Sequence, residues 1–448
     1  MKWLKRILIA LVPLLALAAA LSYFISLDDY IPQIEKALSA RLNEPISIKR
    51  LRLIALPQPH VSVSGITIGT GDDIKLDQVR VTPALFSLLQ SVKVIKSIEI
   101  DSPSLTLKAA GRIPAWSKPD TDTPPQVRVQ KLRVNSALLV FDESSFGPFN
   151  AGVSLDDQGE PVDMSMTTQD GKLKVAIKRV QAKYLIDASA KAWKLPAGLP
   201  LLFDELNIKG VATPTDAALS QVSGKLYGGT VSGNAAISWH KGFRVNGNLD
   251  IAQVEMQDLA SMLSARTRVS GRLTAAPVYS AVAASAEQLP NALRLATPFT
   301  VTHGVVRGVD IRKAATGAIK RGATGGETHF DRLSGHLLME HGSYRFTQLK
   351  IASGLLAADG NVTISPKKAL SGRLNTRVSA AGISASVPLN VAGTMDAPLL
   401  YPTAGTVAGA AVGTALLGPG VGTSVGARIG DWVEDRFGKK AKTKRKNE

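Results

Sequence analysis

Apolar and polar residues alternate with a period of two through the middle of this chain. Successive side chains of a β-strand point to opposite faces, so the alternation is typical of strands with one apolar and one solvated face. Dipeptides at which a chain turns or bulges recur between these runs, as at Ser64-Gly65 and Asn246-Gly247. The sequence therefore predicts a mainly β fold with a long antiparallel sheet. The alternating positions are Ile46/Ile48, Val61/Val63, Ile66/Ile68, Ile74/Leu76, Val79/Val81, Ile98/Ile100, Leu105/Leu107, Val127/Val129, Leu132/Val134, Leu173/Val175/Ile177 and Val362/Ile364.

Helices are predicted at a few joints between these strands. An amphipathic helix follows Asp28-Asp29, with Pro32 in its first turn. Its apolar face is expected to contain Ile31, Ile34, Leu38 and Leu42. Three further short helices are predicted at residues 83–90, 256–265 and 310–320.

The N-terminal segment has the pattern of a membrane anchor. Residues 7–27 carry no charge and follow Lys2, Lys5 and Arg6. A helix of this length reaches roughly 30 Å, the thickness of the hydrocarbon core, and the positive-inside rule places the basic N-terminus in the cytoplasm. The sequence thus predicts one transmembrane helix and an exported remainder. The alternative is a cleaved secretory signal, because the small residues at 16–20 resemble a cleavage site.

Glycines spaced by four residues occur in two sets in the C-terminal segment 403–438, from Gly405 to Gly413 and from Gly418 to Gly430. This spacing places them on one helical face, where another helix can approach closely. Together with the apolar residues between them, the pattern predicts a membrane-interacting hairpin, and the alternative is a flexible Gly/Ala tail. The basic residues at 439–448 suit anionic head groups, such as those of the outer membrane, and equally suit a solvated tail.

The charge balance favours a membrane surface over nucleic acid as a partner. The 448 residues include 53 Lys and Arg against 36 Asp and Glu, a formal net charge of +17. Aromatic residues make up 5% of the chain, too few for platforms on which single-stranded nucleic acid stacks. The absence of cysteine excludes a disulfide framework, Cys-ligated zinc and iron–sulfur clusters. No nucleic acid is therefore expected as a partner, and the sequence does not identify a protein partner.

Motifs for catalysis are not evident in the sequence. Residues 422–426 match the G-x-S-x-G pattern of serine hydrolases, but they lie inside the glycine series and all six histidines precede them. His329, His336 and His341 match no metal-ligand spacing and are interpreted as surface residues. We expect a protein that is not an enzyme and has no cofactor or metal.

The apolar face of the predicted sheet must be covered, and two ways remain open. A closed barrel or a two-sheet sandwich would cover it with protein. Alternatively, the sheet curls into an open groove and hydrocarbon chains cover its aliphatic wall, at about 25 cal/mol per Å² of buried apolar area. The candidate wall residues are Val61, Val63, Ile66, Ile68, Val79, Val81, Val127, Val129, Leu132, Val134, Val362 and Ile364.

Several segments, in their order and spacing, resemble the AsmA family of envelope proteins. In the N-terminal part the resemblance rests on DYIPQIE (29–35), LIALPQP (53–59), VRVTPAL (79–85) and IEIDSP (98–103). In the C-terminal half it rests on HGVVRGVDI (303–311), FDRLSGHLLMEHG (330–342), VPL (387–389) and GTMDAP (393–398). The resemblance extends over most of the chain.

This resemblance implies a periplasmic protein anchored in the inner (plasma) membrane, with a β-groove similar to that of chorein-type bridge lipid-transfer proteins. It implies phospholipid acyl chains as ligands and a role in conducting phospholipid between the inner and outer membranes, in support of outer-membrane homeostasis. The family has no catalytic residues to carry over. The alternative is an envelope scaffold or assembly factor for outer-membrane protein biogenesis that carries no lipid.

Composition and pattern together divide the chain into six segments. The predicted segments are a basic start and transmembrane helix (1–27), an AsmA-like module (28–111), a Pro-rich linker (112–126), a β-groove region (127–402), the Gly-spaced hairpin (403–438) and a basic tail (439–448).

Overall fold

The structure confirms that the chain is mainly β. The computed structural model describes residues 26–56, 58–70, 73–110, 112, 127–141, 144–196, 200–263, 268–316, 325–354, 356–380, 383–405 and 431. These residues form 24 strands and a few short helices. The strands are β1 (Ile46–Ile54), β2 (His60–Ile68), β3 (Ile74–Pro83), β4 (Lys93–Asp101), β5 (Ser104–Thr106), β6 (Val127–Val129), β7 (Lys131–Val140), β8 (Ser145–Leu155), β9 (Pro161–Thr168), β10 (Leu173–Val180), β11 (Lys183–Lys194), β12 (Leu202–Ala212), β13 (Asp216–Leu226), β14 (Gly229–Ser238), β15 (Phe243–Glu255), β16 (Arg268–Ala275), β17 (Val278–Ala283), β18 (Arg294–Arg307), β19 (Glu327–Glu340), β20 (Ser343–Ala352), β21 (Leu356–Ile364), β22 (Leu370–Ala380), β23 (Ile383–Thr394) and β24 (Ala397–Pro402).

The strand pairing is mixed, so the prediction of a purely antiparallel sheet was wrong. Strand β4 pairs in parallel with β6 and β7, and β5 pairs in parallel with β7. A parallel pair needs a connection of a dozen or more residues, and residues 107–126 separate β5 from β6. After this connection the chain pairs again with the start of β4, where Val127 is the partner of Lys93.

The chain divides into two compact units. The first contains residues 1–198 and 205–217, and the second contains residues 199–204 and 218–448. Strands on both sides of the predicted linker belong to the first unit, because β4 and β5 pair with β6 and β7. Linker residues 113–126 lie outside the described residues, and the predicted domain boundaries stay predictions.

The left-handed backbone at Gly65 affects which residues of β2 pack together. Val63 and Ile66 are three positions apart, so a regular strand would point them to opposite faces. Gly65 has a φ of 66°, in the left-handed region that glycine adopts without strain. As a result, both Val63 and Ile66 pack in one apolar cluster with Ile46 and Ile48.

Helix α1 (Ile31–Leu42) covers this cluster and protects the edge strand β1. Ile31, Ile34 and Leu42 pack on the cluster as predicted, whereas Leu38 is exposed. Side chains of this segment also accept hydrogen bonds from the outer backbone N–H groups of β1. Glu35 Oε1 lies 2.7 Å from the N of Ile48, and Ser39 Oγ lies 3.2 Å from that of Ile46. A sheet edge satisfied in this way is not free to pair with another chain.

Asp28 was predicted to open helix α1, but its carboxylate caps the sheet edge. Asp28 Oδ1 accepts a hydrogen bond from the N–H of Leu51 at 2.7 Å, and this bond lowers the pKa of Asp28 from its ordinary value. Asp28–Tyr30 form a 3-10 helix, and the helix N-cap is Tyr30, without a side-chain bond. The preceding Leu27 donates its N–H to the carbonyl oxygen of Leu51 at 3.0 Å.

The other predicted helices occur where the sequence placed them. Residues Leu85–Leu89 form a 3-10 helix between β3 and β4. Helices α3 (Met256–Leu263) and α5 (Ile311–Thr316) fall within the remaining two predicted segments. Two single-turn helices, α2 (Leu107–Ala110) and α4 (Leu289–Ala292), were not predicted.

A closed core forms in the second unit beneath helix α5. Asp310 Oδ1 accepts a hydrogen bond from the N–H of Lys313 at 2.8 Å and caps the first turn of α5. Ile311 and Ala314 are then buried against strands of the same unit. The strand residues of this core are Val301, Phe330, Ile351, Leu356, Ala358, Leu374, Val378, Leu389, Val391 and Leu400.

Arg112 joins two loops of the first unit, and its replacement by lysine should destabilise the protein. Its guanidinium donates to Glu44 Oε1 and to Asp73 Oδ2, each at 2.7 Å. A lysine ammonium cannot donate to both carboxylates with the geometry of the planar guanidinium. We therefore expect Arg112→Lys to lower the free energy of unfolding by about 1 kcal/mol. Urea denaturation of the full chain measures the change. Arg133→Lys, at an exposed pair with Glu99, is the control and should cost less than about 0.5 kcal/mol. Equal stability of Arg112→Lys and the natural chain would contradict the assignment.

Candidate functional site: an apolar stripe

One row of apolar side chains crosses nine paired strands of the first unit. Direct cross-strand partners lie on the same face of a sheet, so the strand registers show which residues align. Starting at β1 and ending at β11, the aligned residues are Leu53, Val61, Val81, Ile98, Leu132, Val153, Met164, Ile177 and Ile186. No polar residue interrupts this row.

A second apolar row runs beside the first, two positions along each strand. Positions i and i+2 of a strand share a face, so both rows form one surface. The members of the second row are Leu51, Val63, Val79, Ile100, Val134, Ala151, Met166, Val175 and Ala188. We call the two rows together the apolar stripe.

Most of the apolar stripe is not covered by the described part of the chain. Val63 and Val79 pack on the cluster beneath α1, and Leu51 is buried. All stripe residues except Leu51 are half-buried. In a barrel or a sandwich a second layer would bury such residues fully, as α5 does for the core of the second unit. Within the described residues, the stripe beyond Leu51, Val63 and Val79 is therefore an open apolar face.

The reverse face of the same strands is polar. The row between the two apolar rows consists of Arg52, Ser62, Arg80, Glu99, Arg133, Gly152, Ser165, Ala176 and Asp187. Arg80 pairs with Glu99 at 3.3 Å and with Asp101 at 2.8 Å, and Arg133 pairs with Glu99 at 3.0 Å. The sheet thus presents one face suited to water and one suited to hydrocarbon.

The predicted wall residues fall into four groups, three of them in the first unit. Half of them lie in the apolar stripe: Val61, Val63, Val79, Val81, Leu132 and Val134. Ile66 and Ile68 instead belong to the cluster beneath α1, where Ile66 is buried. Val127 and Val129 lie on the short strand β6 outside both rows, and Val127 is 51% exposed.

The remaining two predicted residues, Val362 and Ile364, lie in the second unit. Val362 packs against the closed core beneath α5. Ile364 belongs to another cross-strand row of half-buried side chains. That row consists of Tyr279, Leu295, Met339, Tyr344, Ile364 and Leu370. Leu370 packs against the core, so this row is in part continuous with it.

The described residues contain no group of three or more His, Asp or Glu side chains placed to hold a metal ion. His329, predicted to be a surface residue, is exposed and lies 2.9 Å from Glu327 Oε1. The site is thus a surface defined by shape and polarity.

A family comparison matches the region in which the stripe begins. Residues 1–113 match the model of the AsmA family. The N-terminal region is similar to the AsmA family. This AsmA region contains helix α1 and strands β1 to β5, and so includes the first four residues of each row of the stripe. The resemblance in the C-terminal half stays a prediction.

No curated protein and no solved structure matches the chain. Among the described residues, which begin at Ser26, no helix is long and apolar enough to cross a membrane. Residues 7–25 of the predicted span lie outside the described residues, as do 406–430 and 432–438 of the Gly-spaced hairpin and the basic tail. Ser26 and Leu27 pair with β1, so a membrane helix would end before them.

Proposed function

We propose that this protein is a membrane-anchored envelope protein that binds phospholipid acyl chains on the apolar stripe and conducts them between the inner and outer membranes. The observation that carries the proposal is the continuous half-buried apolar surface across nine strands, backed by a polar face. Such an uncovered surface needs a partner, because contiguous exposed apolar patches mark binding sites. The match of residues 1–113 to the AsmA family supports an envelope role.

The dimensions of the stripe suit a lipid chain. Nine strands spaced by about 4.8 Å extend over roughly 38 Å, and the two rows lie about 7 Å apart. One acyl chain fills one leaflet, or about 15 Å of hydrocarbon, so the stripe is longer than a single chain. A chain that buries about 200 Å² of this surface would gain roughly 5 kcal/mol.

The uniformity of the stripe favours movement over retention at one place. Both rows contain only Leu, Ile, Val, Met and Ala, so a chain meets similar contacts at each strand. Neither row presents a charge or a hydrogen-bonding group that would hold a head group at one position. We therefore infer that acyl chains slide along the rows while their head groups stay in water.

A scaffold that carries no lipid is the second candidate function. The closed core beneath α5 favours it for the second unit, because Val301, Phe330 and Leu389 are buried there by protein. A scaffold would use the polar face of the first unit to contact assembly factors. It would also need a protein to cover the apolar stripe.

Site-specific photo-crosslinking in cells distinguishes the two functions. A photoreactive phenylalanine analogue is introduced at Met166 or Ile186 on the stripe, and at their neighbours Ser165 or Asp187 on the reverse face. We expect covalent phospholipid adducts at Met166 and Ile186 and none at Ser165 or Asp187, because neighbouring residues of a strand face opposite sides. Equal lipid labelling on both faces, or protein adducts alone on the stripe, would contradict lipid binding.

A further inference from the structure

The connection between β3 and β4 exposes an apolar tip. Residues Leu85–Leu89 form a 3-10 helix whose four apolar side chains are turned to solvent. Phe86 is 89% exposed and Leu89 is 91% exposed, and Leu85 and Leu88 are also exposed. We call Leu85–Leu89 the apolar tip. Large apolar side chains such as Phe86 and Leu89, exposed together at the end of a loop, indicate a contact with an apolar partner.

The polar groups of the tip are used inside the protein and hold its shape. Ser87 is buried, and its Oγ donates to the carbonyl oxygen of Ala84 at 2.7 Å and accepts from the N–H of Val94 at 2.8 Å. Lys93 Nζ donates to the carbonyl oxygen of Leu88 at 2.8 Å and also to that of Gln90. The apolar side chains are therefore displayed outward by a fixed backbone.

The tip lies at the end of β3, on the side of the sheet where the N-terminal segment joins the described structure. Leu53 near the end of β1 aligns with Val61 and Val81, and the tip directly follows β3. Ser26 forms an antiparallel bridge to Arg52, so going back along the chain from Ser26 leads toward this same end of β1. With strands about 4.8 Å apart, the tip and the entry point lie within roughly 15 Å across the sheet.

We propose that the apolar tip inserts into the interface of the lipid bilayer that holds the apolar segment 7–25. The segment contains no charged residue, and it joins the structure at the same end of the strands as the tip. Lys93, which donates a hydrogen bond to the backbone of the tip, places a cation beside the apolar side chains. A cation in this position can interact with anionic head groups. This docking contact rests on the membrane anchor of the proposed function, but it does not depend on whether the stripe carries lipid.

The chain contains no cysteine, so single cysteines can be labelled in the full chain without removing others. An environment-sensitive fluorophore is attached at Phe86→Cys or Leu89→Cys in protein reconstituted into phosphatidylethanolamine and phosphatidylglycerol vesicles. We expect emission shifted to shorter wavelength and quenched by lipids that carry a spin label on the acyl chain. Thr70→Cys is the control, because Thr70 is exposed at the opposite end of the strands, between β2 and β3. The fluorophore at this position should show neither effect.

Two results would overturn the docking proposal. Emission typical of water at both Phe86→Cys and Leu89→Cys would show that the tip stays in solvent. A shift to shorter wavelength without quenching by spin-labelled lipid would show that a protein covers the tip.

A variant of the tip separates docking from folding and from the proposed function. Phe86→Ser with Leu89→Ser leaves the bonds of Ser87 and Lys93 in place, so the melting temperature should not change. With the fluorophore at Leu85→Cys, the double variant should lose most of the lipid quenching, while lipid adducts at Met166 persist. Unchanged quenching in the double variant would contradict insertion by these two side chains.

Discussion

Three aspartates placed across the apolar stripe should stop lipid from passing. The variant combines Val79→Asp, Ile100→Asp and Val134→Asp, which are consecutive partners in the second row. An acyl chain cannot cover a carboxylate without desolvating it, which costs on the order of 1–3 kcal/mol for even a neutral polar group. We expect lipid adducts at Ile186 to fall at least about tenfold.

Adducts at Leu53 should persist in this variant, because Leu53 lies on β1, before the three aspartates on β3, β4 and β7. The matched control places three aspartates on the reverse face, at Ser165, Thr167 and Ser189, and should leave adducts at Ile186 unchanged. Limited proteolysis of both variants checks that the fold is retained. Undiminished adducts at Ile186 in a folded triple variant would contradict conduction along the stripe.

The same leucine-to-alanine change should have very different costs in the closed core and on the open stripe. Leu389 is 0% exposed in the core beneath α5, whereas Leu132 on the stripe is half-buried. Removing a fully buried leucine side chain leaves a cavity, so Leu389→Ala should lower the free energy of unfolding by about 3–4 kcal/mol. Leu132→Ala removes a side chain that is partly in water already and should cost about 1 kcal/mol.

Chemical denaturation of the full chain, followed by circular dichroism, measures both changes. Leu374→Ala, which removes the cross-strand partner of Leu389, should repeat the large effect. A cost of 3 kcal/mol or more for Leu132→Ala, equal to that for Leu389→Ala, would show that protein covers the stripe. The comparison therefore tests the open face independently of any lipid assay.

The alternation of apolar residues correctly predicted most of the strands and which residues of one strand share a face, but Leu107, predicted to alternate with Leu105, begins helix α2. Val79/Val81, Ile98/Ile100 and Leu132/Val134 all point to the stripe as their spacing indicates. The pattern of β2 was misleading at one point, because it does not show that the left-handed backbone at Gly65 lets Val63 and Ile66 pack in one cluster. Which residues pack together there depends on the neighbouring elements as well as on local sequence.

The roles of several single residues were not visible in the sequence. Asp28 has the pattern of a helix cap, yet its carboxylate binds the N–H of Leu51, a residue 23 positions away along the chain. Ile66 and Val81 have the same alternating pattern, but only Ile66 is buried in the cluster beneath α1. In the apolar tip, the sequence predicted a helix over residues 83–90 but could not show that Phe86 and Leu89 face solvent. All three depend on which elements pack together.

By itself, the sequence determined the mainly β class, the positions of all but the two single-turn helices, the two-sided character of the strands and the resemblance of the N-terminal region to the AsmA family. These are local properties, since a period of two, a glycine or a short motif is read within a few residues. Only the tertiary structure decided that nine strands align their apolar residues into one uncovered stripe, that β4 and β5 pair in parallel with later strands, and that α5 closes the second unit. Register and coverage arise from contacts between residues far apart in the chain, and a shift of one residue in any strand would move its apolar side chains to the other face.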